Sequence, residues 1–448
     1  MSEPKGALLL GTEDVGKLLR KYATPAIIAM TASSLYNMID SIFIGHGVGP
    51  LAISGLAITF PFMNLGAAIG AMVGVGASTV TAMELGKKNY EKSCRALANT
   101  VMLNIFFGII FTIVCLVFLK PILFFFGASE NTLPYAYEYM QVILLGNIIT
   151  HLYHGLNSVL RASGHPNEAM IATIITVVAN VFLDWLFIFP LGMGIRGAAI
   201  ATVLAQTLPL IYLFKIFMKK NELVHFDRKD FVFDIKIIKD ILAIGLSPFL
   251  LNSALCVIII LINNGLKRYG GDLSVGAYGI VNRVAFLFTM IVMGITQGMQ
   301  PIVSYNYGAR QYSRVTEALK KAIILAIITL CIGCLIGETI PRFVCSLFTT
   351  DEELLNYSVD GMRIVMATFP IIAFPIVIGN FFQSIGKAKK SIVLSLSRQV
   401  LFLIPLLLIL PNFLGIKGVW WSLPISDVIA TILSLIMIAR YYKYDVKS

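Results

Sequence analysis

Apolar runs of about twenty residues or more recur along this chain, and short polar stretches separate them. A helix needs about 20 mostly apolar residues to cross the hydrocarbon of a bilayer. The runs lie near residues 18–44, 51–83, 96–119, 133–156, 165–190, 195–218, 237–266, 274–304, 315–341, 357–384, 389–412 and 416–441. The pattern predicts an all-α membrane protein with twelve transmembrane helices. Composition agrees. The chain is 57% hydrophobic and 13% charged, where a soluble protein carries about 25% charged residues.

The net charge of +11 would suit a nucleic-acid partner if the basic residues formed one patch. Most of them instead sit in short loops between the spans, so no nucleic acid is expected. Their placement also sets orientation, because cytoplasmic loops carry an excess of Lys and Arg. One face collects Lys17, Arg20, Lys21, Lys87, Lys88, Lys92, Arg95 and Arg161, then the basic residues of the connector. The second half adds Arg310, Arg314, Lys320, Lys321, Lys387, Lys389, Lys390, Arg440 and Lys443 to that face. The other face holds Lys120, Arg196, Lys267, Arg268, Arg342 and Lys417. We expect a multi-pass protein of the cell membrane (inner or plasma), both termini cytoplasmic, with no cleaved signal peptide.

The chain repeats itself. Glu84-Leu-Gly86-Lys-Lys-Asn-Tyr90 is echoed by Asn306-Tyr-Gly308-Ala-Arg-Gln-Tyr312, so Gly86 recurs 222 residues later as Gly308. Gly76 with Gly298, and Gly164 with Gly386, keep that register, and Met193-Gly-Ile-Arg-Gly197 recurs as Leu414-Gly-Ile-Lys-Gly418 after the loss of one residue. Parallel halves of this kind are a transporter signature. The expected organisation is two pseudo-symmetric six-helix lobes, 1–218 and 237–448, joined by a cytoplasmic connector at 219–236.

Polar residues inside the spans carry the chemistry. The sequence Thr176-Val-Val-Ala-Asn-Val-Phe-Leu-Asp-Trp-Leu-Phe-Ile-Phe189 is apolar enough for lipid yet holds Asn180 and Asp184. These are four apart and share one helical face. A carboxylate at the bilayer centre costs about 2.5–3.5 kcal/mol on insertion scales, so acids kept there face a protein interior or a water-filled path. Asp40 is a second such acid, with Tyr36 and Asn37 one turn before it. At the 222-residue shift Asp40 meets Ile262 and Asp184 meets Leu406, so the first half has specialised. Ala198 and Thr202 add a small gap and a hydroxyl in the sixth span. Arg398 and Asp427, in the last two spans, read as a structural ion pair, and Arg283 is a lone cation that answers Asp427 or lines a cavity. Phe60, Met63, Phe286 and Met290 are further cavity candidates, because aromatic and thioether groups adapt to varied apolar ligands. His151 and His154 lack a nearby acid or Cys and read as packing or surface residues. Cys331-Ile-Gly-Cys334 reads as helix packing. Gly11-Thr-Glu-Asp-Val-Gly16-Lys17-Leu18 lacks the Ser or Thr and the preceding strand of a phosphate-binding loop. No metal site, cofactor or catalytic residue is expected.

Several motifs together resemble the MATE (multidrug and toxic compound extrusion) transporters, close to the DinF-like and MepA-like branches. They are Tyr36-Asn-Met-Ile-Asp40, Gly49-Pro-Leu-Ala-Ile-Ser-Gly-Leu-Ala57, Glu84-Leu-Gly86, Leu160-Arg-Ala-Ser-Gly164, Asn180-x-x-x-Asp184 and Gly197-Ala-Ala-Ile-Ala-Thr202. The resemblance implies an antiporter, driven by H⁺ or Na⁺, that exports amphipathic and often cationic drugs or toxic compounds by alternating access. It places the coupling ion on Asp40, Asn180, Asp184, Ala198 (through its carbonyl) and Thr202, with Tyr36 and Asn157 as further polar positions. It also implies a central cavity between the lobes. Some relatives use acids in the seventh and tenth spans. Here those spans offer Asn263, Asn264 and Arg363, which favours coupling in the first lobe. The expected partners are a small-molecule substrate and the bilayer, with the chain a monomer. The alternatives are a flippase or exporter for a lipid-linked or polymeric substrate on a similar scaffold, and a polytopic membrane enzyme. The enzyme would need a polar catalytic cluster near one interface, and none is evident.

Overall fold

In the computed structural model, which describes residues 6–349 and 351–444, every run expected to span is helical. The first six long helices are α1 (Val15–Gly47), α2 (Pro50–Gly86), α3 (Tyr90–Val117), α4 (Leu133–Ala162), α5 (Pro166–Ile188) and α6 (Gly194–Phe217). They are followed by α7 (Ile235–Gly271), α8 (Leu273–Gly308) and α9 (Tyr312–Thr339). Then come α10, in two pieces (Glu352–Met366 and Phe369–Ser384), α11 (Ala388–Leu414) and α12 (Ile416–Tyr444). Among the described residues, ten helices are long and apolar enough to cross a membrane, or eleven with α10 counted as one span. The remaining long helix is α4. Its 30 residues suffice to cross, at 1.5 Å per residue, but Asn147, His151, His154 and Asn157 make it more polar. No strand occurs among the described residues.

Three departures from straight helices have local causes. Between α7 and α8 the helix breaks at Gly271, whose φ of 72° and ψ of −172° are not helical. The pieces of α10 meet at 53°. Pro370 opens the second piece without an N–H to continue the first. In α11, Ser397–Leu403 is wound as a π-helix ahead of Pro405, a wider turn that accommodates the missing donor.

The backbone keeps the internal repeat. Lys88 and Arg310, 222 positions apart, both have φ of 59°. Left-handed backbone is uncommon for residues with a Cβ, so the same bend after α2 and after α8 marks one turn used twice. Gly49 and Gly271, Gly164 and Gly386, and Gly194 and Gly415 are likewise all at positive φ.

The described residues pack as two compact units. One takes in those of Met1–Glu13, Ile28–Phe249 and Ser304–Arg310; the other takes in Asp14–Ile27, Leu250–Val303 and those of Gln311–Ser448. Within the first unit small residues let helices approach closely. A Cβ on Gly74 of α2 would lie 3.1 Å from the Gly155 Cα of α4. His151 is fully buried and its Nε2 lies 2.9 Å from the Gly66 carbonyl, which makes it a packing residue. The connector is also packed here: Phe226 contacts Phe214, Phe217 and Phe231, and Asn99 donates to the Val232 carbonyl at 3.1 Å. Cys331 departs from its packing expectation, for it is exposed on α9, with Cys334 half-buried and both thiols free.

Candidate functional site

The polar residues of α1, α4, α5 and α6 meet inside the first unit. Asp40 comes from α1 and Asp184 from α5, and their carboxyl groups are near enough to share a hydrogen bond. Asp184 is fully buried and Asp40 is 7% exposed. Asn180 lies one turn before Asp184 and is 1% exposed. Its Nδ2 donates to the Thr202 hydroxyl at 3.4 Å, and Thr202 donates in turn to the Ala198 carbonyl at 3.1 Å. The i, i+4 spacing in α6 thus links three of the five coupling candidates, Asn180, Thr202 and Ala198, in one chain of hydrogen bonds, while Asp184, one turn from Asn180 on α5, meets Asp40 from α1.

Charge balance sets this cluster apart. Among the described residues, neither acid forms an ion pair, and Asp40 Oδ1, Asn180 Oδ1 and both Asp184 oxygens have no hydrogen-bond donor. Buried polar atoms nearly always have a partner, and two carboxylates this close repel strongly in a poorly screened interior. A proton or a small cation relieves both problems, since either would use the oxygens that the protein leaves unmatched.

A second polar strip runs beside it. Asn157 Nδ2 and the Tyr153 hydroxyl both donate to Thr173 Oγ1, each at 3.3 Å. Asn157 Oδ1 also lacks a donor. Tyr36 is half-buried on α1 and lies within electrostatic reach of Asp40 and Asp184. The side chain of Asn37 lies outside the described ones. Tyr139, 1% exposed, approaches Thr202 from α4, and sequence reasoning missed it, as it missed Tyr153 and Thr173. The available signal was the polar face of α4, where Tyr153 and Asn157 are four residues apart.

The second unit handles its acid differently. Arg398 Nε donates to Asp427 Oδ1 at 2.6 Å, and the Thr368 hydroxyl donates to Asp427 Oδ2 at 3.2 Å. The π-helical turn of α11 carries the arginine, and Asp427 is 3% exposed. Arg283, which the sequence left open as a partner for Asp427, is exposed on α8, as are Arg363 on α10 and Asn264 on α7, while Asn263 is half-buried. Of the cavity candidates, Phe60 and Phe286 are exposed, and Met63 and Met290 are half-buried.

The family model described as MatE matches residues 25–186 and 245–409, one stretch in each half. The chain belongs to the MatE family. Among curated relatives, the multidrug export protein MepA of Staphylococcus aureus (strain MSSA476) is 26% identical over 425 residues, covering 95% of this chain and 93% of that protein. A solved MATE multidrug transporter, DinF-BH in complex with R6G, is 37% identical with a TM-score of 0.89, covering 96% of each chain. A MOP superfamily transporter from Pyrococcus furiosus Vc1 is 26% identical with a TM-score of 0.91 over 98% of each chain. Its description holds that the reverse polarity of its binding pocket suggests a different function. As a MatE protein the chain is a multi-pass membrane transporter, which sets aside the membrane-enzyme reading.

Proposed function

We propose that this MatE transporter is an H⁺- or Na⁺-driven antiporter that exports amphipathic, often cationic, drugs or toxic compounds. The observation that carries the reading is the meeting of Asp40 and Asp184 in a buried site with no counter-ion among the described residues. The names of the relatives, multidrug export protein and multidrug transporter, support the cargo class. The coupling residues are Asp40, Asn180, Asp184, Thr202 and the Ala198 carbonyl, with Tyr36, Asn157 and Tyr139 lining the approach. The protein works as a monomer in the cell membrane with both termini in the cytoplasm. The two lobes are residues 1–218 and 237–448.

The mechanism follows from charge. With the site empty, two carboxylates share a small volume and repel; one bound proton or cation halves the net charge from −2 to −1 and takes away the repulsion between the two acids, so the helices that carry them close together. A ligand shifts an equilibrium only by its differential affinity for the two states, and here that difference is the removed repulsion. A membrane potential adds about 2.3 kcal/mol per charge for each 100 mV. One or two ions entering would therefore drive export of a drug against a substantial gradient.

The test is drug export from proteoliposomes under an imposed pH or Na⁺ gradient, for the intact protein, Asp40→Asn and Asp184→Asn. Loss of gradient-driven export in both variants supports the reading, and the gradient that works names the ion. Equal export by all three proteins removes it.

A further inference from the structure

Arg283 of α8 is an in-span cation that neither the packing nor the coupling site uses. It stands ten residues after Leu273, about 15 Å from the start of that helix, and it is exposed. Asp427, the acid that could have answered it, is held by Arg398 and Thr368. Among the described residues, the Arg283 guanidinium has no ion pair, hydrogen bond or ring contact. An arginine is costly in lipid, so the surface around it decides what it serves.

Around Arg283, α8 exposes Gly276, Gly279, Asn282, Phe286 and Leu287. Helix α9, in the same unit as Arg283, is different. From residue 324 to residue 335 it exposes Ile324, Leu325, Ile328, Cys331, Ile332 and Leu335. That is a surface for acyl chains, where Ile and Leu are favourable and Arg is not. The internal repeat draws the same distinction in the first half. There α3 exposes apolar side chains alone between Ile105 and Val117, while α2 exposes Phe60 and Asn64. At the 222-residue shift these two correspond to Asn282 and Phe286. Each half thus keeps an open helix face that pairs an aromatic ring with an amide, which suits a water-filled path for amphipathic molecules. At these positions only the second half adds a charge, because Arg283 stands where the first half has Pro61.

We propose that Arg283 recognises an anionic group on the exported molecule, so that the cargo includes amphipathic carboxylates, zwitterions among them. This deepens the export reading above and rests on it. A guanidinium offers a carboxylate two parallel N–H donors, where a lysine offers a point charge. Phe286, three residues on, supplies an exposed apolar surface beside the charge, and Asn282 supplies a further donor. No protein acid among the described residues holds this guanidinium, so an entering carboxylate has no ion pair to break.

The experiment measures fluorescence anisotropy on the intact protein in neutral detergent, with a xanthene dye that carries a free carboxylate and with the ethyl ester of the same dye. The quantity read is the ratio of the two dissociation constants, in which the shared aromatic body cancels. No ion gradient is present, so loss of this preference and loss of gradient-driven export are separate results. The intact protein should favour the free acid, and Arg283→Gln should cut that preference about tenfold, as expected for a charge-assisted hydrogen bond. Arg283→Lys should restore part of it. Arg342→Gln removes an exposed arginine paired with Glu352 in the same unit and should leave the ratio unchanged. Phosphatidylglycerol is titrated in parallel, because its phosphate presents the same chemistry from a lipid. The proposal is overturned if intact and Arg283→Gln proteins give the same ratio, or if Arg342→Gln lowers it equally. It is also overturned if Arg283 governs phosphatidylglycerol binding and not the dye ratio.

Discussion

Each half of the molecule buries a polar pair within its spans, and the two pairs are neutralised in opposite ways. In the second half Asp427 has Arg398 at 2.6 Å and the Thr368 hydroxyl at 3.2 Å, so its charge is answered by the fold. In the first half Asp40 meets Asp184, and the fold supplies no cation among the described residues. The positions do not coincide. Asp40 and Asp184 correspond to Ile262 and Leu406, while Arg398 and Asp427 correspond to Thr176 and Gln206 at the 222- and 221-residue shifts. One scaffold thus holds a closed pair, which needs nothing from outside, and an open pair, which needs a proton or cation to be stable. On the function proposed above, the closed pair belongs to architecture and the open one to transport.

The closed pair should give the largest effect on stability. Arg398→Met leaves the Asp427 carboxylate buried with one hydroxyl, and breaking a buried pair on one side costs about 3–5 kcal/mol. Arg398→Met with Asp427→Leu removes both charges and should recover most of that loss. Thermal unfolding of the detergent-solubilised proteins checks this. If the single variant is as stable as the intact chain, the pair is not architectural and the contrast fails.

The open pair should behave in reverse. Asp184→Asn and Asp40→Asn remove a repulsion and break no ion pair, so neither should lower the thermal midpoint. What they should lose is the response to the coupling ion. Saturation at 100 times the dissociation constant stabilises a protein by about 2.7 kcal/mol; the intact chain should show a gain of that order and the two variants none. The same shift in all three proteins would place the ion elsewhere.

Much of this contrast was legible before any coordinates. Runs of apolar residues mark spans whatever the tertiary packing, because lipid imposes the rule helix by helix. Asp40, Asp184, Arg398 and Asp427 stood out for the same reason, each being too costly in lipid to be incidental. Harder to read was what depends on three-dimensional crossing. Tyr139 sits in a Tyr-rich start to α4 that reads as interfacial, and only the approach of α6 brings it to Thr202. Pro405 announces a disturbance in α11, but that it resolves as a π-helical turn carrying Arg398 depends on packing. Gly271 reads as one glycine in a Gly-Gly pair, and the bend it gives follows from a φ of 72° that sequence does not report.

The hydroxyl of Thr202 sharpens the comparison at smaller scale. It accepts from Asn180 and donates to the Ala198 carbonyl, so Thr202→Val leaves a buried amide without its acceptor, at about 1–3 kcal/mol. In the closed pair the corresponding group is the Thr368 hydroxyl, and Thr368→Val should cost less because Arg398 still holds Asp427. Only Thr202→Val should raise the ion concentration needed for half-maximal export. An equal rise for both variants would mean that hydroxyl loss acts through general loosening rather than through the coupling site.

The smallest effect belongs to the connector side of the same comparison, where the first half has His165 and the second half has Lys387. A hydrogen bond to Glu168, then the charges of Glu168 and Glu222, raise the His165 pKa above its ordinary 6.5, against the opposing effect of burial. Because the folded value lies above the unfolded one, the stability His165 contributes is fully present below about pH 6.5 and fades as pH rises through the folded value. Glu168 and Glu222 are both partly exposed, so solvent screening keeps the contribution below about 1 kcal/mol. The thermal midpoint of the intact protein should therefore fall slightly between about pH 6 and pH 8, the range in which histidine changes charge, and His165→Asn should flatten that part of the profile. Lys387→Gln removes no histidine, so it should shift the whole profile without changing its slope. An unchanged slope in His165→Asn would show that the His–Glu contacts do not hold the connector, and the first half would lose its claim to balance its charge internally at this end.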